Sequence, residues 1–241
     1  MRNPAVMSAL VVVSLAATVS GNDRGPLRVV AEGPLNAFDA ELLATFAKAR
    51  NRPMQPVTGT AAAVAAGSAD VAAGLYADAV ATADLATTME VFPSRLVVVT
   101  RRPNARAAAI EALRWSRIGV LRGSRAPAAV HDSKISGAEV SEHPNLLAAL
   151  SALRAGTVAS LVVELPEALL AQHDDAQLEL GAFLGTRRSC VYAVRSRDRA
   201  FLAGLNAFLQ SLRSTPSWTA LVARHYGPAA FEVLARAHLG D

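Results

Sequence analysis

The 241-residue chain has a single cysteine, Cys190. One thiol cannot close an internal disulfide, so no disulfide framework supports the fold. Cys190 lies in the apolar stretch "RRSCVYAV", which reads as a strand, and its thiol is expected to be buried and inert. The five histidines are scattered and form no recognisable pairing with it for nucleophilic catalysis. No catalytic residue, metal site or cofactor site is read from the pattern. Lysine is nearly absent, since Lys48 and Lys134 are the only two among 24 basic residues. The arginines that replace it are dispersed, adjacent only at Arg101–Arg102 and Arg187–Arg188. A nucleic-acid-binding face needs a denser basic stripe, so nucleic acid is excluded as a partner. Charged residues make up 18% of the chain and hydrophobic ones 52%, a balance that argues for a packed globule and against disorder.

Long hydrophobic runs are also missing. The longest uncharged apolar stretch is 5–19, 15 residues, short of the roughly 20 that span a bilayer. Arg2 precedes it, and Ser20 and Gly21 follow it ahead of the polar "NDRG". This is the pattern of a secretory signal peptide. It predicts removal of 1–21 and a periplasmic protein starting near Asn22. No cysteine at that boundary offers a lipid attachment site, and no twin-arginine motif is present.

What the remainder contains is alternation of strands and helices. "LRVVAE" (27–32) reads as a strand, and 38–50 as a helix with Phe38, Leu42, Leu43 and Phe46 on one face. "RPMQPV" is extended. Residues 60–76 read as a short helix, a turn at Gly67–Ser68 and a strand from Val71 to Leu75, and 95–102 as a strong strand. The alternation restarts at 117–123, a strand ending in glycine. It continues through a helix containing Pro127, a strand "AEVSE", a helix 144–156 closed by Gly156, a strand 160–164 and a helix opened by Pro166. Strand 190–195 and helices 199–213, 217–226 and 231–238 complete the chain. Such alternation predicts an α/β architecture with mostly parallel sheets. Two runs of it predict two lobes, with crossings near 95–103 and 188–197 forming a hinge around a cleft. Ligands of open α/β sheets sit beyond the carboxyl ends of strands.

At this point the chain resembles the bacterial extracellular solute-binding proteins of family 3, from about residue 27 to 227. "AFDAELLATFAKARNRPM" resembles the family's "GFDVDLAKAIAKRLG", and "AAGSADVAAGLY" resembles "SGKFDVIIAGMT". "IGVLRGSRAPAAV" resembles "VGVQKGTTSEEY", and "NLLAALSALRAGTVASLVVELPEALL" resembles "ALKSGRVDAVVVDEPVA". The closing "VYAVRSRDRAFLAGLNAFLQSLRSTPSWTALVARHYG" resembles "AVRKGDPELLAAVNKAL…DGTYDKIYDKYFG". The resemblance implies a two-lobed type II periplasmic-binding-protein fold. Lobe 1 would be 27–103 and 188–241, with lobe 2 (104–187) inserted. It also implies a monomer that takes up a small solute and meets the permease of an ABC transporter.

The candidate ligand-binding residues are Glu32, Tyr76, Gly123, Ser124, Arg125 and Glu164. Gly123–Ser124 at a helix start would present backbone N–H groups to an anion, or Ser124 would merely cap the helix; the residues leave both open. Glu164 stands where the resemblance implies an acid for the ligand's amino group, and a solvated strand-end acid is the other reading. Glu32 is a second acidic candidate. Tyr76 offers an aromatic wall or a hydroxyl. Asp70 reads as turn chemistry. The family arginine that forks onto an α-carboxylate is replaced by Ala81, and Arg95 and Arg125 are the possible substitutes. The aromatic "YPPF" box is missing, and Ala159 stands in place of an aspartate. The expected ligand is therefore a small polar solute bound without that fork. Two other readings remain: a cyclohexadienyl dehydratase-like enzyme on the same fold, with Glu32 or Glu164 as cleft acid, and a degenerate binding module acting through a protein partner.

Overall fold

A computed structural model describes residues 25–31, 35–80, 82–103 and 109–239. The predicted signal segment, Glu32 and Ala81 lie outside the described residues.

One mixed sheet runs through the molecule. Its wings are parallel and its centre is antiparallel. On one side β1 (Leu27–Ala31) lies between β2 (Met54–Pro56) and β3 (Val71–Tyr76), parallel to both. Helix α1 (Ala37–Ala49) links β1 to β2, and α2 (Ala61–Ala66) links β2 to β3. A short β4 (Leu85–Thr87) and the long β5 (Phe92–Arg101) follow. On the other side β6 (Arg117–Leu121) lies between β7 (Glu139–His143) and β8 (Ser160–Glu164), again parallel. Helices α3 (Ala126–Asp132) and α4 (Leu146–Ala155) make those crossovers, and α5 (Leu165–Asp174) follows β8. The 18-residue β9 (Leu178–Arg195) pairs antiparallel with β3, β4 and β5. The order is β2-β1-β3-β9-β5-β8-β6-β7. The α/β, two-run expectation holds, and β5 and β9 are the strands that join the two parallel wings.

Helix α1 forms where the sequence pattern placed it. Asn36 caps it, its side chain accepting from the Asp39 N–H at 2.8 Å. Phe38, Leu42, Leu43 and Phe46 make its buried face. Asn145 caps α4 in the same way, and Gly156 ends it at φ +72°, a left-handed conformation glycine adopts without a Cβ clash. Asp70 accepts from the Arg28 side chain at 2.8 Å and faces Arg52 at 3.3 Å, so it fixes β3 to β1 as a structural ion pair. Helices α6 (Arg199–Arg213), α7 (Pro216–Tyr226) and α8 (Ala230–Leu239) close the chain. Leu205, Leu209, Tyr226 and Val233 from these helices join one apolar cluster with Phe38 and Leu42 of α1, Leu153 of α4 and Leu169 of α5. The core is thus continuous between the two wings.

β9 is much longer than the 190–195 strand read from sequence. Its first half, "LELGAFLGTRR", carries Gly181, Gly185 and two arginines, which weaken strand propensity. Gly185 takes φ +61°, and the β5–β9 register shifts between Ser94 and Leu96 beside it. Pairing with β5 over most of its length overrides the local signal.

Candidate functional site

The site lies where β1 and β3 end, between the start of α1 and the start of α5, as expected for open α/β sheets. It is a cavity of about 300 Å³. α1 contributes Phe38 and Asp39, β3 contributes Tyr76, α5 contributes Glu167, and β9 contributes Cys190 and Tyr192. Tyr226 of α7 closes it. No arginine, lysine or histidine lines it among the described residues.

Two carboxyl groups set its electrostatics. Asp39 is buried, and one oxygen accepts from the Tyr192 hydroxyl at 2.7 Å while the other accepts from the Asn36 amide at 2.7 Å. Burial pushes its carboxyl above the usual range, and these hydrogen bonds pull only part of the way back. Burial also pushes the Glu167 carboxyl up, to about 7; the backbone N–H of Glu164 opposes this and the Glu164 carboxylate adds to it. Glu164 is the N-cap of α5 and Glu167 is its third helical residue, so this backbone bond is one arm of a capping box. Burial likewise raises the hydroxyls of Tyr76, Tyr192 and Tyr226 and the Cys190 thiol, so all four stay protonated near neutrality. Cys190 is protonated but only partly buried, since it lines the cavity, where the sequence suggested full burial.

A charged cluster borders the cavity across Tyr76. The Glu164 side chain is only 8% exposed. Its Oε2 accepts from Ser94 Oγ at 2.6 Å, and its Oε1 accepts from Arg125 Nε at 2.8 Å and from Arg188 Nη1 at 3.5 Å. Arg188 also donates to Asp78 Oδ1 at 2.7 Å, and its guanidinium carbon stands 4.1 Å from the Tyr76 ring centroid. Arg125 further donates to the Thr186 carbonyl at 2.9 Å. Sheet register explains the meeting: Ser94 pairs with Arg188, and Leu96 of the same strand pairs with Glu164.

Of the candidate residues, Tyr76, Arg125 and Glu164 come together. Gly123 and Ser124 form the turn between β6 and α3. There the Ser124 hydroxyl donates to the Leu121 carbonyl at 2.7 Å and accepts from the Ala126 N–H at 3.3 Å. Arg95 reaches the Gly185 carbonyl at 3.2 Å and stacks on Phe183. Sequence reasoning did not single out Asp39, Asp78, Glu167, Arg188, Tyr192 or Tyr226 as site residues. The spacing Glu164-x-x-Glu167 at a helix start was a usable signal for one of them. The tandem Arg187–Arg188 on a strand was another, because neighbours there face opposite sides: Arg187 meets Glu90 at 2.6 Å, while Arg188 meets Glu164 and Asp78. Among the described residues no group of His, Cys, Asp and Glu is arranged to hold a metal ion, and no helix is long and apolar enough to cross a membrane.

No protein-family model and no curated protein matches the chain by sequence. Solved structures do match. The chain is similar to an ancestral cationic amino acid solute-binding protein, AncCDT-1, at 17% identity, with 84% of this chain and 96% of that one covered and a TM-score of 0.76. Another structure of AncCDT-1, described as an ancestral amino acid-binding protein and a precursor of cyclohexadienyl dehydratase, matches at 17% identity, 84% and 96% coverage and TM-score 0.65. The substrate binding protein of an amino acid ABC transporter matches at 16% identity, 84% and 99% coverage and TM-score 0.62. At these identities the likeness establishes the fold: this chain has the two-lobed type II periplasmic-binding-protein architecture.

Proposed function

We propose that the chain is an exported solute-binding protein that closes two lobes on a small polar ligand and presents it to an ABC transporter. The observation that carries this reading is the partly open cavity at the strand ends, lined from both wings of the sheet and holding two carboxyl groups. Pockets of this kind, mostly apolar with a few convergent polar groups, are the usual form of small-ligand sites. The amino-acid-binding neighbours support a binding role. In this reading 27–103 and 188–241 form lobe 1, 104–187 form lobe 2, and β5 and β9 are the hinge. The protein acts as a monomer in the periplasm after loss of 1–21, and binding requires no cofactor. A thermal-shift and calorimetric screen of the mature protein against amino acids, organic acids and amines tests it. A ligand held at micromolar affinity or better is expected; a screen with no binder overturns it.

A second reading, an elimination enzyme on the same fold, is favoured by one observation. Glu167, raised to about 7 by burial, holds a proton near neutral pH, as a general acid must. The dehydratase precursor among the structural neighbours is consistent with it. Incubation with prephenate and arogenate distinguishes the two, since turnover of either replaces the binding-only reading with the enzyme.

A further inference from the structure

We propose that the ligand of this cavity is a small organic amine that carries no carboxylate. The inference rests on the solute-binding reading and specifies the substrate class of that same site.

Among the described residues the cavity has acceptors and two carboxyl groups but no cation. Asp39 and Glu167 are, among the described residues, its ionisable groups apart from tyrosine and cysteine, and they come from α1 and α5 on either side of it. A ligand carboxylate placed there would face carboxyl groups without a counter-charge. The guanidinium groups nearest the site are already engaged. Arg125 is held by Glu164 and the Thr186 carbonyl, and Arg188 by Asp78 and Glu164. Freeing either to fork onto a carboxylate would leave the buried Glu164 short of a partner, which is unfavourable in a dry environment.

The walls suit an ammonium group. Phe38, Tyr76, Phe92 and Tyr226 line the cavity, and aromatic faces attract cations. The neighbouring cluster displays the same chemistry within the chain, where a guanidinium lies over Tyr76 between two carboxylates. Tyr226 is 7% exposed and lines the cavity, so its hydroxyl is a further polar group of the wall. Each Asp39 oxygen accepts one hydrogen bond and keeps a second lone pair. An ammonium with three donors fits that set of acceptors. At about 300 Å³ the space lies at the small end of ligand cavities, which limits the ligand to a monoamine or a short diamine.

The test compares each amino acid with the amine left when its carboxylate is removed: arginine with agmatine, lysine with cadaverine, histidine with histamine and tyrosine with tyramine. Calorimetry on the full mature chain at pH 8 is expected to find an amine that binds at least tenfold more tightly than its amino acid. Glu167→Gln is expected to weaken that amine tenfold or more, and Tyr226→Phe, which removes only a hydroxyl, to weaken it severalfold with unchanged circular dichroism. If every amino acid binds more tightly than its amine, the ligand class is wrong while solute binding stands. If no member of any pair binds, the amine assignment falls, and the wider screen that includes organic acids decides solute binding. Tight amine binding that neither Glu167→Gln nor Tyr226→Phe alters would place the amine elsewhere and overturn the assignment to this cavity.

Discussion

Glu167 is the residue through which the site senses pH. Its carboxyl holds a proton up to about pH 7 in the folded chain, against 4.5 for an unperturbed glutamate. The folded state therefore binds more protons between those values. The resulting contribution to stability is fully present below about pH 4.5 and is lost as the pH rises through 7, by an amount on the order of 3 kcal/mol. The buried Asp39 contributes in the same direction. Glu41, Asp70 and Asp175 are shifted down instead, so their effects fall in the acid range below that window. Urea unfolding at pH 5 and pH 8 is expected to show lower stability at pH 8, and Glu167→Gln to remove a measurable part of the difference. An unchanged difference would mean that Glu167 titrates normally. Cation binding has the opposite dependence, because the anionic carboxylate is the better partner; amine affinity is expected to rise between pH 6 and 8 with proton release. Among the described residues the titratable groups facing Glu167 in the cavity are Asp39, Tyr76, Cys190, Tyr192 and Tyr226, with Glu164 at its own helix start. The tyrosines and the thiol stay protonated throughout that range, which leaves the carboxyl groups to set the profile. Glu164 itself has a structural consequence. Replacing it by alanine leaves Arg125 with only the Thr186 carbonyl and Arg188 with only Asp78, and is expected to cost about 3 kcal/mol, the low end for breaking a buried pair from one side. Chemical denaturation of Glu164→Ala checks this.

At the scale of elements, most of the fold was legible because each signal was local. The apolar spacing of Phe38, Leu42, Leu43 and Phe46 gave α1, and all four are buried. Phe46 packs on Phe201 and Phe208 of α6, so Phe46→Ala is expected to destabilise the chain by about 3–5 kcal/mol, measured by chemical denaturation. Gly156 and Pro166 likewise marked the end of α4 and the start of α5. β9 was legible only in its apolar second half, since the first half is held by pairing with a strand more than 70 residues away in sequence. Gly185 carries that difference. A Cβ there would meet only ordinary contacts, at 3.7 Å or more, but φ +61° disfavours any L-residue. Gly185→Ala is expected to cost about 1–2 kcal/mol from backbone strain alone, with no loss of core packing. A much larger loss would mean that the strand also lacks room for a methyl group. The site was harder to read for the same reason. Tyr76, Arg125 and Glu164 were visible as strand-end or helix-start residues. Arg188 and Asp78 join them only through the antiparallel register of β3, β5 and β9, which local spacing cannot reveal. Asp39 lay inside a helix whose apolar face explained the surrounding sequence, so its position at the cavity carried no separate mark.

For the whole molecule, two kinds of contact hold the wings of the sheet together across the cavity. One is apolar: α5 and α7 both enter the continuous core through Leu169, Leu221 and Tyr226, and α8 reaches β9 where Arg236 donates to the Gly181 carbonyl at 2.9 Å. The other is the guanidinium of Arg188, which joins Asp78, just beyond β3, to Glu164 at the end of β8. If the lobes divide as proposed, opening bends β5 and β9, a hinge motion about a few strand residues. It separates Asp78 from Glu164, so Arg188 must release one of them. A flexible, uncharged side chain at this position can fill much of the space but cannot bridge two carboxylates. Arg188→Met is therefore expected to favour the open form of the free protein, seen as a larger radius of gyration in solution scattering, while a saturating ligand restores the compact value. Asp78 is 62% exposed against 15% for the arginine, so added salt screens this half of the bridge, and the free wild-type protein is expected to move towards the Arg188→Met radius at high ionic strength. A radius of gyration that is the same for Arg188→Met and wild type, without ligand, would assign closure to the apolar contacts of α5, α7 and α8 instead.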